Sequence, residues 1–122
     1  MVMNKDIKAI QGSEIKVYLP VYKLENGNEV PVDFTSFDDV EVIIAYENGI
    51  DPILRYKLSE SQLSIHEVGV LELKIAKNDT FKVICETSKR LEYSVIFTVG
   101  EVSQATNQQY LLTMYKQASS TL

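Results

Sequence analysis

Along several stretches of the chain, apolar and polar residues alternate with the two-residue period of a β-strand that has one buried face. This period runs through residues 14–22, 40–46, 70–75 and 91–99. The second face of the stretch at 40–46 carries Ile43 and Ala45 beside Glu41, so this stretch is more apolar than a strand with one wet face, which predicts a strand in the centre of a sheet. Helical periodicity is almost absent before residue 100, so the chain is expected to be all-β.

Residues that favour turns separate these stretches. Asn48-Gly49 is the strongest hairpin signal, because Asn and Gly adopt positive φ at the lowest cost, and it predicts a return strand over residues 50–58. Pro20 has no backbone N–H to donate to a neighbouring strand. The strand over residues 14–22 is therefore expected to lie at an edge, to bend, or to split near Pro20.

Shorter stretches of the sequence predict further strands and turns. They predict a first strand around residues 7–10, a turn at 25–29, a loop or short irregular strand over 59–67, a turn at Asn78-Asp79 and a short strand over 81–85. About seven short strands separated by turns predict an Ig-like antiparallel β-sandwich over residues 1–100, with alternate residues forming a shared core. Phe34 and Phe37 are expected to close one end of that core.

Residues 101–122 have a different character, since they are rich in Gln, Ser and Thr and lose the alternation. Spacings of three, one and three separate Leu111, Met114, Tyr115 and Ala118, which predicts a C-terminal arm or short amphipathic helix. We expect this arm to dock on its own domain or on a neighbour, and its removal to leave the sandwich folded while abolishing assembly. The predicted partner-binding residues are Leu111, Leu112, Met114 and Tyr115.

Composition narrows the possible functions. The chain has 122 residues, 45 % of them hydrophobic, which is the size and make-up of one globular domain. Its net charge of -5 opposes binding to nucleic acid. Its apolar runs are too short to span a membrane, and its start lacks the pattern of a secretory signal, so it is expected to stay where it is made. Cys85 is the single cysteine and is expected to be a small, buried core residue.

The residues that could act in catalysis or bind a metal are more simply interpreted as structural residues. Asp38 and Asp39 are adjacent on an extended segment, so their side chains point to opposite faces, and we interpret them as turn or strand-edge residues rather than as a cation site or a catalytic pair. His66 is interpreted as an exposed loop residue. A hydrolase built on these three residues is the least favoured hypothesis. No catalytic residue, metal site or cofactor is predicted, and the protein is expected not to be an enzyme.

The seven tyrosines leave a second function open. β-Sandwiches that bind sugars stack them on exposed aromatic rings, and Tyr18, Tyr22 and Tyr56 are candidates to face outward. Tyr18 and Tyr22 are the possible ligand-facing aromatics of a carbohydrate-binding module. The chain has no tryptophan, so core or ordinary surface roles are favoured for most of these tyrosines.

The order of four segments carries a family resemblance: GSEIKVYLPV, VDFTSFDDVEVIIAY, GVLELKIAKNDT and LEYSVIFTVG. In this order they resemble the Ig-like N-terminal domains of phage baseplate upper proteins and related virion accessory proteins. The likeness covers residues 10–100, although the Pro-Gly turn that such domains have before the last strand is here ETSKRLEY. The resemblance implies a virion building block fixed to capsid or tail, with no catalytic residues to carry over.

The sequence therefore predicts a non-enzymatic structural protein of a tailed phage, in capsid decoration, a head fibre or tail and baseplate attachment. Its expected partners are other virion proteins and further copies of itself. It is expected to be made in the host cytoplasm and assembled into the virion. An exposed strand edge and the C-terminal arm are its expected contact surfaces. The alternative hypothesis is a carbohydrate-binding β-sandwich.

Overall fold

The computed structural model describes residues 8–116, of which 58 % lie in β-strands and 6 % in helical turns. Two helical turns are present in this part of the chain: a 3₁₀ turn (Phe34–Ser36) and α1 (Lys77–Thr80). Neither is long or apolar enough to cross a membrane. The strands are β1 (Lys8–Ile10), β2 (Ile15–Pro20), β3 (Tyr22–Glu25), β4 (Asn28–Pro31), β5 (Asp39–Tyr46), β6 (Leu54–Lys57), β7 (Leu63–Glu67), β8 (Val70–Ile75), β9 (Ser88–Val99), β10 (Val102–Ala105) and β11 (Gln109–Tyr115).

Two sheets form a sandwich. The larger sheet has the order β1-β11-β9-β5-β6, with β10 also paired to β9, and the smaller has the order β2-β8-β7. All pairings within the two sheets are antiparallel except β1 with β11, which is parallel. The order β2-β8-β7 matches the B-E-D sheet of an Ig-like sandwich, and the order β11-β9-β5-β6 within the larger sheet matches G-F-C-C′. The fold predicted from the sequence is confirmed.

The core lies between the sheets and is built by the alternation that the sequence predicts. Every second residue of the long strands points inward and is almost completely buried. From the smaller sheet these residues are Ile15, Val17, Leu19, Leu71, Leu73 and Ile75; from the larger sheet they include Val40, Val42, Ile44, Leu91, Tyr93 and Val95. Phe34 is buried, and Phe34 and Phe37 both pack against Phe97, closing one end of the core as predicted.

Most of the predicted strands are confirmed. β8 has the predicted bounds, β9 extends the predicted strand to Ser88, and β5 lies between β6 and β9 as a central strand should. Pro20 ends β2, and the chain resumes as β3, which is the predicted split. β7 is the short irregular strand, with a register shift between Ile65 and Glu67.

One local prediction is wrong, the strand over residues 81–85, and two others differ from the structure in detail. Residues 81–85 form a loop, and the Gln11 side chain bonds to it and to the end of the preceding helical turn: its Nε2 donates to the carbonyl oxygens of Val83 (2.7 Å) and Thr80 (3.2 Å). The turn predicted at Asn78-Asp79 is part of the helical turn α1. The return strand after Asn48-Gly49 is shorter than predicted, since β6 begins only at Leu54.

The prediction of a C-terminal helix is also wrong. Residues 102–105 and 109–115 are β10 and β11, both antiparallel to β9, so this segment belongs to the larger sheet. Leu111, Leu112 and Met114 are completely buried, and they dock on their own domain rather than on a neighbour. Ile7 of the predicted first strand and residues 117–122 of the predicted arm lie outside the described residues.

A β-bulge explains why this strand has the spacing of a helix. The pairing of β11 with β9 shifts between Tyr110 and Leu112, which leaves one extra residue in β11. Two consecutive leucines, Leu111 and Leu112, are therefore both buried before alternation resumes at Met114. The bulge thus places the buried Leu111 and Met114 three residues apart, a spacing that imitates one face of a helix.

Strands β3 and β4 form a hairpin of their own, of which the sequence predicted only the turn. Asn26 and Gly27 both have positive φ, 53° and 80°, as a two-residue turn of type I′ requires. None of the eight strand residues is buried. An isolated two-stranded hairpin is marginally stable in water, so this one depends on its attachment to the sandwich.

Candidate functional site

A groove lies between the β3–β4 hairpin and the larger sheet. It has two adjoining parts, of about 320 Å³ and about 360 Å³, which share Pro20, Tyr22 and Gln109 in their walls. The first part is also lined by Val21, Tyr93, Val95, Ala105, Thr106 and Asn107, and the second by Lys23, Leu24 and Glu29. Two breaks in regular strand structure create this opening.

The first break is the base of the hairpin, where three backbone hydrogen bonds join three segments. Val21 N donates to the carbonyl oxygen of Gly69 (2.7 Å), Gly69 N donates to that of Val32 (2.9 Å), and Val32 N donates to that of Val21 (3.1 Å). Val21 and Val32 are buried beneath these bonds. The hairpin is thus fixed at its base, and with it the position of Tyr22.

The second break separates β10 from β11. Thr106 bridges it, because its backbone N donates to the carbonyl oxygen of Val95 (2.9 Å) while its Oγ1 accepts from Val95 N (2.9 Å). Gln108 Nε2 donates to the carbonyl oxygen of Gly49 (2.8 Å). These bonds hold the loop that carries Asn107 against the larger sheet and leave its polar side chains on the rim of the groove.

Tyr93 forms the floor and joins the two sheets. Its hydroxyl donates to the carbonyl oxygen of Pro20 at 3.0 Å, and the side chain is almost completely buried. Burial raises the pKa of Tyr93 to about 12, because the phenolate would lose its hydration. Tyr56 shows the same effect elsewhere in the core: burial first, and then its hydrogen bond to Asp79, raise its pKa.

The raised pKa of Tyr93 predicts a loss of stability in alkali. An unfolded tyrosine ionises near 10 and the folded one near 12, so its contribution is complete below pH 10 and is lost as the pH rises to 12. At about 1.4 kcal/mol per pKa unit, the loss approaches about 3 kcal/mol. Urea unfolding of the wild type and of Tyr93→Phe, from pH 9 to pH 12, measures it. The stability difference between the two proteins should shrink across this range, and a constant difference would contradict the prediction.

The walls of the groove combine apolar surface with amide groups. Tyr22 is 43 % exposed and Leu24 is 75 % exposed; they are two residues apart on β3 and line the same part of the groove. Asn107 and Gln109 are exposed on the opposite rim. Within residues 8–116, no hydrogen bond occupies either of these two amide side chains. The groove can therefore pack an apolar face and bond polar groups at its edge.

The structure separates the two tyrosines predicted to face a ligand. Tyr22 lines the groove. Tyr18 lies on the outer face of the smaller sheet, with its ring centroid 4.6 Å from that of His66 and Lys16 Nζ 5.7 Å away. The outward orientation considered for Tyr56 is wrong, since this residue is buried.

The acidic pair, Asp38 and Asp39, forms hydrogen bonds to backbone N–H groups. Asp38 Oδ2 accepts from Gly100 N at 2.6 Å, which ties the turn between β9 and β10 to the start of β5. Asp39 Oδ1 accepts from the next backbone N–H, that of Val40, at 2.9 Å. The two carboxylates therefore bond to different parts of the backbone, in agreement with the interpretation as turn residues.

The other residues considered for catalysis, His66 and Cys85, lie on different elements from the acidic pair. His66 is on β7 of the smaller sheet, whereas the acidic pair is at the start of β5 in the larger one. Cys85 is half-buried, with its Sγ 3.3 Å from the carbonyl oxygen of Met114. Among residues 8–116, no group of three or more His, Cys, Asp or Glu side chains is arranged to hold a metal ion.

Of the four predicted partner-binding residues, only Tyr115 reaches the surface, where it is 37 % exposed beside its β-strand partner Ile10. The sequence reasoning missed Asn107 and Gln109, because it assigned them to the arm. The polar run from Thr106 to Gln109 signals a loop, but which residues lie opposite that loop depends on the pairing of distant strands.

Comparison with protein-family models gave no match, and comparison with curated proteins gave none.

Proposed function

We propose that the protein is a non-enzymatic structural component of a tailed-phage virion that acts through protein–protein contacts. Capsid decoration, a head fibre or tail and baseplate attachment are the proposed positions, with assembly following synthesis in the host cytoplasm. The proposed partners are other virion proteins and further copies of this chain. The resemblance of residues 10–100 to phage virion domains supports the class of protein, and the surface of the larger sheet supports the mode of action.

The observation that carries the proposal is a pair of exposed valines at one end of the larger sheet. Val99 and Val102 are directly opposite one another in β9 and β10, and they are 53 % and 64 % exposed. A second apolar pair, Ile10 with Tyr115, is exposed on β1 and β11. Single exposed apolar residues are ordinary, whereas adjacent ones favour an interaction surface.

The valine pair is held in position before any partner binds. Asp38 bonds to Gly100 within the turn, and the hydroxyl groups of Thr98 and Ser103 are 3.0 Å apart on the strands that flank it. A surface fixed in this way loses little conformational entropy on binding, which favours affinity. Asp38, which the sequence analysis interpreted as structural, thus fixes the turn beside the proposed contact surface.

Replacing the valine pair should weaken assembly without unfolding the protein. Val99→Thr with Val102→Thr keeps side-chain shape and β-strand preference but adds two hydroxyl groups to the proposed interface, so binding to the particle should fall about tenfold. The measurement is the copy number of the chain in purified particles, by quantitative mass spectrometry.

Ile50→Thr is the matched control, because Ile50 is 89 % exposed on the loop between β5 and β6 and belongs to neither apolar pair. It should leave the copy number unchanged. Absence of the wild-type chain from purified particles would overturn the proposed function. An unchanged copy number for the double variant would reject the valine pair as the contact surface.

A further inference from the structure

We infer that the groove beside the β3–β4 hairpin binds a neutral oligosaccharide, with Tyr22 as the stacking platform. This site is separate from the proposed virion contact at Val99 and Val102, since none of the groove-lining residues belongs to that pair. The inference goes beyond the proposed function and gives the module a second activity, recognition of a glycan.

The first argument is the chemistry of the walls. A pyranose ring has an apolar C–H face and a rim of hydroxyl groups. Tyr22 and Leu24 supply exposed apolar surface on one side of the groove, while Asn107 and Gln109 supply amides on the other. An amide both donates and accepts hydrogen bonds, as a sugar hydroxyl does, so the two sets of groups are matched.

The second argument is charge. Lys23 and Glu29 both line the outer part of the groove, so opposite charges balance there. Lys23 is also paired with Glu25, with Nζ 3.3 Å from Oε2. The groove therefore has no excess of positive charge to attract a phosphate or a carboxylate, and a neutral polyhydroxyl ligand suits it better than an anion.

The third argument is shape. The two parts of the groove, about 320 Å³ and about 360 Å³, adjoin at Pro20, Tyr22 and Gln109. Each part is within the size range of small-ligand sites, roughly 300 to 1,000 Å³. A ligand with two or more rings is needed to fill both parts, with Tyr22 at the junction between them.

The fourth argument is rigidity. The hydrogen bonds of Val21, Val32 and Gly69 fix the hairpin, and those of Thr106 fix the opposite rim. The groove is consequently formed before a ligand arrives, so binding does not have to order its walls.

Nuclear magnetic resonance of the full chain tests the site with named probes. Maltose, cellobiose, lactose and N,N′-diacetylchitobiose are titrated to millimolar concentrations while the backbone amide signals are recorded. At least one disaccharide should shift the amides of residues 22–24 and 106–109 in a saturable manner. If none of the four produces such shifts, or if the shifts map elsewhere, the inference is overturned.

Variants then identify the platform. Tyr22→Ala should weaken binding of the active disaccharide at least tenfold, Tyr22→Phe should retain most of it because the ring remains, and Gln109→Ala should weaken it severalfold. Tyr18→Ala is the matched control, a tyrosine of the neighbouring strand that lies outside the groove, and it should bind normally. Equal losses for Tyr18→Ala and Tyr22→Ala would overturn the inference, as would a peptide that binds this groove when no sugar does.

Discussion

Removing residues 101–122 is expected to abolish the cooperative unfolding of the whole protein. The truncation deletes Leu111, Leu112 and Met114, each completely buried in the core, and it strips β9 of the strands that cover one of its edges. Truncating one buried Leu or Met to Ala costs about 2 to 5 kcal/mol. Three such losses equal the total stability of a typical domain, about 5 to 15 kcal/mol.

Thermal unfolding followed by circular dichroism measures this result. The full chain should show one sigmoidal transition and the truncated chain none. A truncated chain that unfolds cooperatively near the wild-type temperature would show that residues 101–122 are a dispensable arm, as their composition first indicated.

Two point variants measure the contribution of a buried side chain of β11 to stability while the backbone pairing of this strand is kept. Leu112→Ala should destabilise the protein by about 2 to 5 kcal/mol, because it leaves a cavity in the core. Its control is Thr113→Ser at the next residue of β11, which is half-buried and keeps the hydroxyl that lies 2.9 Å from the Tyr110 hydroxyl, so stability should change by less than about 1 kcal/mol. Equal effects of the two substitutions would contradict the buried position of Leu112.

Gly69→Ala is expected to destabilise the protein by about 2 to 5 kcal/mol. Gly69 has φ +83°, a conformation that costs an L-residue about 1 to 2 kcal/mol. An added Cβ would also lie 2.6 Å from Pro31 Cβ and 3.1 Å from Pro31 Cα. Pro31 is constrained by its ring and by β4, so the contact is relieved only by moving the base of the hairpin, at a further cost of about 1 to 3 kcal/mol.

Gly27→Ala provides a matched control, because Gly27 has nearly the same φ, +80°, but no atom lies within 4 Å of its added Cβ. Gly27→Ala should therefore lose only the stability that a positive φ costs an L-residue. Urea unfolding of both variants isolates the steric contribution as the difference between them. If the two substitutions destabilise equally, the close approach of Gly69 to Pro31 does not contribute.

The candidate site was only partly accessible to sequence reasoning. Tyr22 was identified as a possible platform, because it lies on the polar face of the alternating stretch at residues 14–22. Tyr18 does not share the groove with Tyr22, since Pro20 and Val21 redirect the chain between them and Tyr18 stays on the face of the smaller sheet beside His66. The amides of Asn107 and Gln109 come from residues 85 or more positions further along the chain, and no local pattern connects them to Tyr22.

The sequence by itself determined which strands have alternating side chains and which of their faces is buried. Successive side chains of any strand point to opposite faces, so a two-residue period identifies the buried face without knowledge of the neighbouring strands. It therefore specified the all-β sandwich and the inward residues of β2, β5, β8 and β9. Only the tertiary structure decided that the C-terminal segment is the strand between β1 and β9, because a bulge hides its alternation. The groove is likewise a tertiary feature, since its two walls meet only when distant strands have paired.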